Sequence, residues 1–235
     1  MITDFHSHIL PCVDDGSRSI QESVQMLRLI RDQGFRRIVA TPHFYPRYDD
    51  PKRFLQRRQE AAEQLQQALQ EEMDMPRILL GAEVYFFHGI SESDVLPELA
   101  IDKSDYILIE MPQPPWTSQM YRELEGIWEK QGLIPIVAHV DRYIRPFRTH
   151  QIPQKLAELP VLVQANASFF QERGTRSMAM KMLKSGHIHL LGSDCHNLTS
   201  RKPNLGETVN RIGPEYAQRI EQWEKQVLDT CQTGK

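Results

Sequence analysis

The chain has 235 residues, 40% hydrophobic and 25% charged, which is enough to bury a full core in one soluble domain spanning 1–235. A formal net charge of −3 and a pI near 6.3 leave no basic footprint for nucleic acid or an anionic membrane surface. No apolar run is long enough to insert in a membrane and the start reads as strand rather than leader. Three widely spaced cysteines make no disulfide framework, so a cytoplasmic location is expected.

Apolar, β-branched runs alternate with amphipathic patterns along the chain. A strand near 2–5 precedes a helix over 18–34, with Ser17 and Gln21 or Glu22 as its capping pair and Gly34 as its stop. A strand over 36–41 leads to a helix over 51–73, Gln/Glu-rich and therefore peripheral. Strands over 77–82 and 105–110 follow, then a proline-rich loop over 112–116 and a helix over 118–131. The rest reads as a strand over 133–138, helix 152–158, strand 160–165, helix 174–186, strand 188–193 and a helix from about 214. Seven strands alternating with helices require a parallel sheet, whose chemistry sits beyond the carboxyl ends of the strands.

Those ends carry metal-ligand side chains. The first strand runs into His6 and His8, the second into Thr41-Pro42-His43, the third into Gly81-Ala82-Glu83. The fourth ends in Glu110, the fifth in Ala138-His139, the seventh in Ser193-Asp194-Cys195-His196. The sixth ends in Gln164-Ala165-Asn166, which is polar without being an obvious ligand. Imidazole and carboxylate bind zinc, manganese or iron, and their recurrence on one rim points to a polynuclear site. Any of these residues alone reads more simply as a hydrogen-bonded structural group, and His88 and His150 are read that way. His187 and His189 imitate the first His-x-His but lie at the amino end of their strand, roughly 16 Å from the rim at ~3.3 Å per residue.

Asp4-Phe5-His6-Ser7-His8, Asp14-Asp15-Gly16, Thr41-Pro42-His43, Gly81-Ala82-Glu83, Ile109-Glu110, Ala138-His139-Val140-Asp141-Arg142-Tyr143 and Ser193-Asp194-Cys195-His196-Asn197 together resemble the polymerase-and-histidinol-phosphatase (PHP) superfamily. Within it the sequence looks most like the bacterial manganese-dependent tyrosine-protein phosphatases of capsule and exopolysaccharide operons, over residues 1 to about 205. The resemblance implies an α/β fold, a distorted seven-stranded β/α (TIM-like) barrel, and three divalent metal ions, manganese first, with iron, zinc or cobalt admitted by the same ligands. It implies one ion on His6, His8, Glu83 and Asp194, a second on Glu83, Glu110 and His139, and a third on Asp14, His43 and His196. Asp15 is left as a turn or supporting residue. A metal-activated water would attack phosphorus in line, with Arg142 and Arg201 neutralising the phosphoryl oxygens. The implied substrate is a phosphotyrosyl protein, the tail of a membrane tyrosine kinase; a phenol leaving group, pKa about 10, needs little protonation. Tyr45 and Trp116 could flank such a site or simply pack their loops.

Three other readings compete. Cys12 to Arg18 and Cys195 to Arg201 both match the Cys-x5-Arg spacing of cysteine-dependent phosphatases. Asp14 and Asp15 would repel thiolate and phosphate in the first, and Cys195 is wedged between ligand-type residues in the second. The same metals could serve a small-molecule phosphatase such as histidinol-phosphatase. A non-catalytic adaptor is disfavoured by the complete ligand set. Oligomeric state is not readable from the sequence.

Overall fold

The computed structural model describes residues 3–144 and 151–231, so residue 2 of the first expected strand and His150 lie outside the described residues. In chain order the elements are β1 (Asp4–Ser7), α1 (Ile20–Asp32), β2 (Arg37–Ala40), β3 (His43–Phe44), α2 (Pro51–Ala68), β4 (Arg77–Leu80), β5 (Glu83–Tyr85), α3 (Leu96–Leu99), β6 (Tyr106–Glu110), α4 (Ser118–Gln131) and β7 (Ile134–Val137). They continue as α5 (Asp141–Ile144), α6 (Gln151–Leu156), β8 (Leu162–Asn166), α7 (Ala167–Gln171), α8 (Arg176–Lys184), β9 (Leu190–Gly192), α9 (Leu205–Ile212) and α10 (Pro214–Cys231).

This is a mixed α/β fold in which every strand pair is parallel, ordered β1-β2-β4 and β3-β5-β6-β7-β8-β9. The expected strands 36–41 and 77–82 end early, as β2 and β4, and the chain resumes beyond each as a further short strand, β3 and β5. Thr41-Pro42 separates β2 from β3, where the proline lacks an N–H for the ladder, and Gly81-Ala82 separates β4 from β5. Across the breaks, Gly81 N–H donates to Ala40 O at 2.9 Å and Glu83 N–H to Pro42 O at 3.0 Å. On the other side, Asp194 N–H donates to His6 O at 2.8 Å and His8 N–H to Cys195 O at 2.9 Å.

Helix ends follow local chemistry. Ser19, not Ser17, caps α1 by accepting from Glu22 N–H at 3.1 Å, while Ser17 Oγ is drawn inward onto Ser23 Oγ at 2.8 Å. Gly34 follows α1 with φ +90, the left-handed stop that glycine supplies. Asp50 caps α2 with Pro51 in its first turn, and the helix ends at Ala68 rather than 73, where Leu69 N–H turns to Gln66 O as well as Leu65 O. Helix α9 has no counterpart in the sequence reading, although Leu205, Thr208 and Ile212 form its buried stripe.

Two apolar clusters result. One fills the space between strands and surrounding helices. The other lies among the strands and contains Phe5, Val39, Leu79, Leu108, Ile136, Leu162 and Leu190, closed by Val227 and Leu228 of α10. Burying each such side chain contributes roughly 1.5–3 kcal/mol. Part of that offsets Glu224, which α10 buries beside them, its Oε2 accepting Thr3 N–H at 2.8 Å.

Burial pushes the Glu224 carboxyl up to about 8, against the pull of the Thr3 N–H. The folded state therefore holds this proton more tightly than the unfolded chain does. Its contribution is fully present below the ordinary carboxyl pKa of 4.5 and is lost as pH rises towards 8. Glu224→Gln should match the parent near pH 4 and exceed it at pH 8 by on the order of 3 kcal/mol, measured by urea unfolding at both pH values. Equal stability differences at the two pH values would refute this.

Candidate metal centre

The strand ends bring nine ligand-type side chains to one rim. His6 lies within β1 and His8 one residue beyond it, so the pair straddles the strand end. His43 and Glu83 open β3 and β5 and sit directly opposite each other in register. The two chain breaks therefore set these side chains inside short new strands rather than in loops. Glu110 closes β6. His139 and Asp194 lie two residues past β7 and β9, both with left-handed backbones, φ 32 and 53.

Glu83 is the centre of this group. Its Oε2 is 3.1 Å from His6 Nε2, 3.3 Å from His8 Nε2 and 3.1 Å from His43 Nδ1, and its Oε1 is 2.7 Å from His139 Nε2. Asp194 Oδ1 lies 3.6 Å from His6 Nε2 and 3.5 Å from His8 Nε2. Glu110 approaches His139 at 3.6 Å and His43 at 4.0 Å. Three groups of atoms are tight enough to share an ion: His6, His8 and Asp194; His43, Glu83 and Glu110; and His8, Asp15, His43 and His196. Glu110 Oε2 and His196 Nε2 are buried without a hydrogen-bond partner. Orphaned lone-pair donors at a converging point are what a cation would satisfy, so the residues fit a metal site.

The two neighbouring aspartates separate here. Asp14 is partly buried, and its Oδ2 accepts from His8 Nδ1 at 2.6 Å and His43 N–H at 2.9 Å while Oδ1 accepts Gly16 N–H at 2.9 Å. Asp15, 67% exposed, places Oδ1 3.5 Å from both His43 Nε2 and His196 Nε2. The third cluster thus contains Asp15, with Asp14 behind His8. Gly16 makes this turn possible, since a Cβ there would stand 2.2 Å from His8 O. Two adjacent residues of one type carry no local signal to tell them apart.

Charge compensation sets the protonation states. Burial opposes a charged His8, but hydrogen bonds to Asp14 and Glu83 outweigh it and push the imidazole up to about 10. His6 is also raised, burial being outweighed by Glu83 and Asp194. Burial would raise Asp194 and Glu83, yet the surrounding imidazoles, with Arg142 on Asp194, hold both well below the carboxylate range. Glu110 goes up, through burial and the Glu83 charge. His196 falls to about 4, through burial and then the charges of His8 and Arg201. Asp4, whose Oδ1 accepts Ser193 N–H at 2.9 Å and His6 N–H at 3.2 Å, ties β1 to the loop after β9 and is raised to about 6 by burial.

Arg142 and Arg201 flank Asp194, donating to Oδ2 and Oδ1 respectively at 2.6 Å, and both remain about one-third exposed. Tyr45 stacks on His43 with centroids 5.1 Å apart and is half-buried beside the rim. Trp116 is buried instead, its indole N–H on Pro112 O at 2.7 Å and its ring against Tyr143. His189 accepts Val163 N–H on Nδ1 and packs on Trp223, away from the rim, and His88 is exposed against Phe86. Cys195 is fully buried and burial pushes its thiol up, away from thiolate. Cys12 is exposed, with its thiol donated to Arg18 O at 3.0 Å. Among the described residues no helix is long and apolar enough to cross a membrane.

Known proteins resemble this chain in sequence and in architecture. The chain is 29% identical over 228 residues to the tyrosine-protein phosphatase YwqE of Bacillus subtilis (strain 168), covering 92% of this chain and 86% of that protein. It is 29% identical over 223 residues to the tyrosine-protein phosphatase CpsB of Streptococcus pneumoniae, covering 91% and 90%. A crystal structure from work on YwqE and CpsB, described as metal-dependent tyrosine phosphatases, superposes with a TM-score of 0.85 at 26% identity, covering 97% of this chain and 95% of that one. The family described as "Capsular polysaccharide synthesis, CpsB/CapC" matches residues 2–226, and the chain belongs to that family.

Proposed function

We propose that this chain is a metal-dependent phosphomonoesterase that hydrolyses phosphotyrosine on protein, a cytoplasmic enzyme whose substrate is the tail of a membrane tyrosine kinase. The observation that carries the reading is the convergence of His6, His8, Glu83, Asp194 and their neighbours within 3.1–3.6 Å on one rim, in a chain whose relatives are tyrosine phosphatases. The seven composite strands, with β2 continuing as β3 and β4 as β5, form one closed, distorted barrel in a single domain over 1–235. The hydrogen bonds across both breaks and between β1 and the end of β9 support that closure.

His6, His8, Glu83 and Asp194 would hold one ion, and Glu83, Glu110 and His139 a second, with His43 close enough to join it. His43, His196 and Asp15 would hold the third, in place of Asp14. Manganese suits this mixed imidazole–carboxylate set, as do iron, zinc or cobalt. When bound, the ions supply Lewis acidity and lower the pKa of water enough for attack on phosphorus. Arg142 and Arg201 bind the phosphoryl oxygens, exchanging their hold on Asp194 for the substrate's charge. Asp14 keeps His8 Nδ1 protonated, so that Nε2 faces the ions. Tyr45 offers a ring face beside His43 against which a phenol can lie.

With manganese supplied, a phosphotyrosyl peptide should be turned over far faster than histidinol phosphate at equal concentration, and chelation should abolish both activities. Cys12→Ser and Cys195→Ser should each keep at least about half of the parent rate, because neither thiol enters the reaction. Activity that survives chelation and disappears with Cys12→Ser would reverse the mechanism. Arg142→Ala should lower kcat/KM about 100-fold or more, with Arg142→Lys recovering little because an ammonium lacks the planar fork; steady-state kinetics on p-nitrophenyl phosphate would read both.

The two aspartates should respond in opposite ways. Asp15→Ala should lower metal content by about one ion per chain, by mass spectrometry, while leaving the metal-free unfolding free energy within about 0.5 kcal/mol of parent. Asp14→Ala should destabilise the metal-free chain by about 2 kcal/mol or more, since it strands a buried imidazolium. The reverse pattern would return the ligand role to Asp14.

A further inference from the structure

Strand β8 lies between β7 and β9, and its rim end carries amides, Gln164 and Asn166, both buried. The ligand-type residues on either side of it, His139 and Asp194, have backbones in the left-handed region, which a residue with a Cβ seldom occupies unless its surroundings hold it there. Strand β8 reaches both, His139 at its backbone and Asp194 at its side chain, while the Asp194 backbone N–H is held by His6 O. Gln164 Oε1 accepts the His139 backbone N–H at 2.6 Å, and Asn166 Nδ2 donates to Asp194 Oδ2 at 2.9 Å. Between the two amides, Gln164 Nε2 donates to Asn166 Oδ1 at 3.0 Å.

One donor fixes the whole chain of bonds. The His139 N–H can only donate, so the Gln164 atom facing it is the oxygen. Gln164 Nε2 must then face Asn166, whose oxygen accepts, and this leaves Asn166 Nδ2 for Asp194. The same Gln164 Oε1 lies 3.3 Å from His6 Nδ1. Since an amide oxygen accepts only, Nδ1 carries a proton, and Nε2, which faces His8, Glu83 and Asp194, is the nitrogen left to bind a cation. Gly192, at the end of β9, leaves room for this arrangement: a Cβ there would stand 2.7 Å from Gln164 Nε2 and 2.5 Å from His6 Cβ.

We propose that Gln164, relayed by Asn166, is the positioning residue of this centre: it fixes the metal-binding tautomer of His6, holds the His139 backbone in its left-handed conformation and orients the Asp194 carboxylate. The proposal rests on reading the rim as a metal centre, and it gives the strand without ligands a function in that centre. In the full chain, Gln164→Leu should weaken Mn²⁺ binding about 10- to 100-fold, read as free Mn²⁺ by electron paramagnetic resonance. Gln164→Glu, which still accepts from His139 and His6 but no longer donates to Asn166, should fall between Gln164→Leu and the parent. A folded Gln164→Leu chain that binds Mn²⁺ within twofold of the parent overturns the proposal.

Should Gln164→Leu fail to fold, long-range ¹⁵N NMR of the parent loaded with diamagnetic Zn²⁺ decides, with the His6 ring identified by its loss in His6→Gln. A proton on Nδ1 with Nε2 on the metal is expected, and the opposite tautomer overturns the proposal. If the parent chain takes up no Mn²⁺ or Zn²⁺ at all, the metal-centre reading itself falls and this inference with it. Unimpaired uptake by Gln164→Leu defeats the positioning role alone.

Discussion

A carboxylate taken out of water must be compensated, and Glu83 is the point from which the rest of this rim is organised. It is buried, with the imidazoles of His6, His8, His43 and His139 around its two oxygens at 2.7–3.3 Å. The cost of burying one such charge is several kcal/mol even after relaxation. Attraction repays it only where the partners are held close and their remaining groups are satisfied. Every neighbour of Glu83 is accordingly pinned from behind: His8 and the His43 backbone by Asp14, and His6 and the His139 backbone by the Gln164 oxygen. The compensation is electrostatic, and the precision comes from these bonds to groups that do not touch Glu83.

That arrangement explains why the strands are irregular where they approach the rim. A regular parallel strand sends alternate side chains to opposite faces, so only every second residue of it can face a given point. Breaks at Thr41-Pro42 and Gly81-Ala82 let the chain restart with His43 and Glu83 in register. The left-handed turns at His139 and Asp194 swing those side chains back over the rim. Such departures cost of order 1–3 kcal/mol each and persist only where surroundings over-determine them. Their clustering at the ends of β7 and β9, next to the amides of β8, is what connects the backbone strain to the site.

Much of this was legible in the sequence, because ligand type and strand position are both one-dimensional signals. His6, His8, His43, Glu83, Glu110, His139, Asp194 and His196 each follow or end an apolar run, and the rule that chemistry collects beyond parallel strand ends put them together. The same rule set His189 aside, and in the structure its Nδ1 accepts Val163 N–H. What could not be read depends on three-dimensional detail. Asp14 and Asp15 are adjacent residues of one type, and only the folded turn shows Asp14 on His8 Nδ1 and Asp15 near His43 and His196. Gln164 and Asn166 carry no ligand chemistry, and their part depends on neighbours 25 and 28 residues away in the chain. The strand breaks were hidden because an apolar run such as 77–82 looks the same whether or not it pauses at a glycine. Helix α9 was missed although its buried stripe was present in the sequence, since its eight residues are too few for periodicity to stand out.

The charge balance of the rim also bears on which chemistry it can support. Glu83, Glu110 and Asp194 stand close together, with Asp14 and Asp15 behind and beside them. A phosphate dianion brought to this group without added cations would meet repulsion of about 8 kcal/mol per carboxylate at 4 Å and an effective dielectric of 20, twice that between two unit charges. Arg142 and Arg201 cannot relieve that alone, because Asp194 already engages both guanidinium groups. Divalent ions held by these carboxylates would supply the positive charge that the rim needs for a phosphate and would compete with the two arginines for Asp194. The same carboxylates that would exclude phosphate from a bare rim are then what gathers the charge that binds it. Neither Cys-x5-Arg segment offers such a reversal: Cys195 is buried with its thiol pushed towards the neutral form, and Cys12 shares its loop with Asp14 and Asp15.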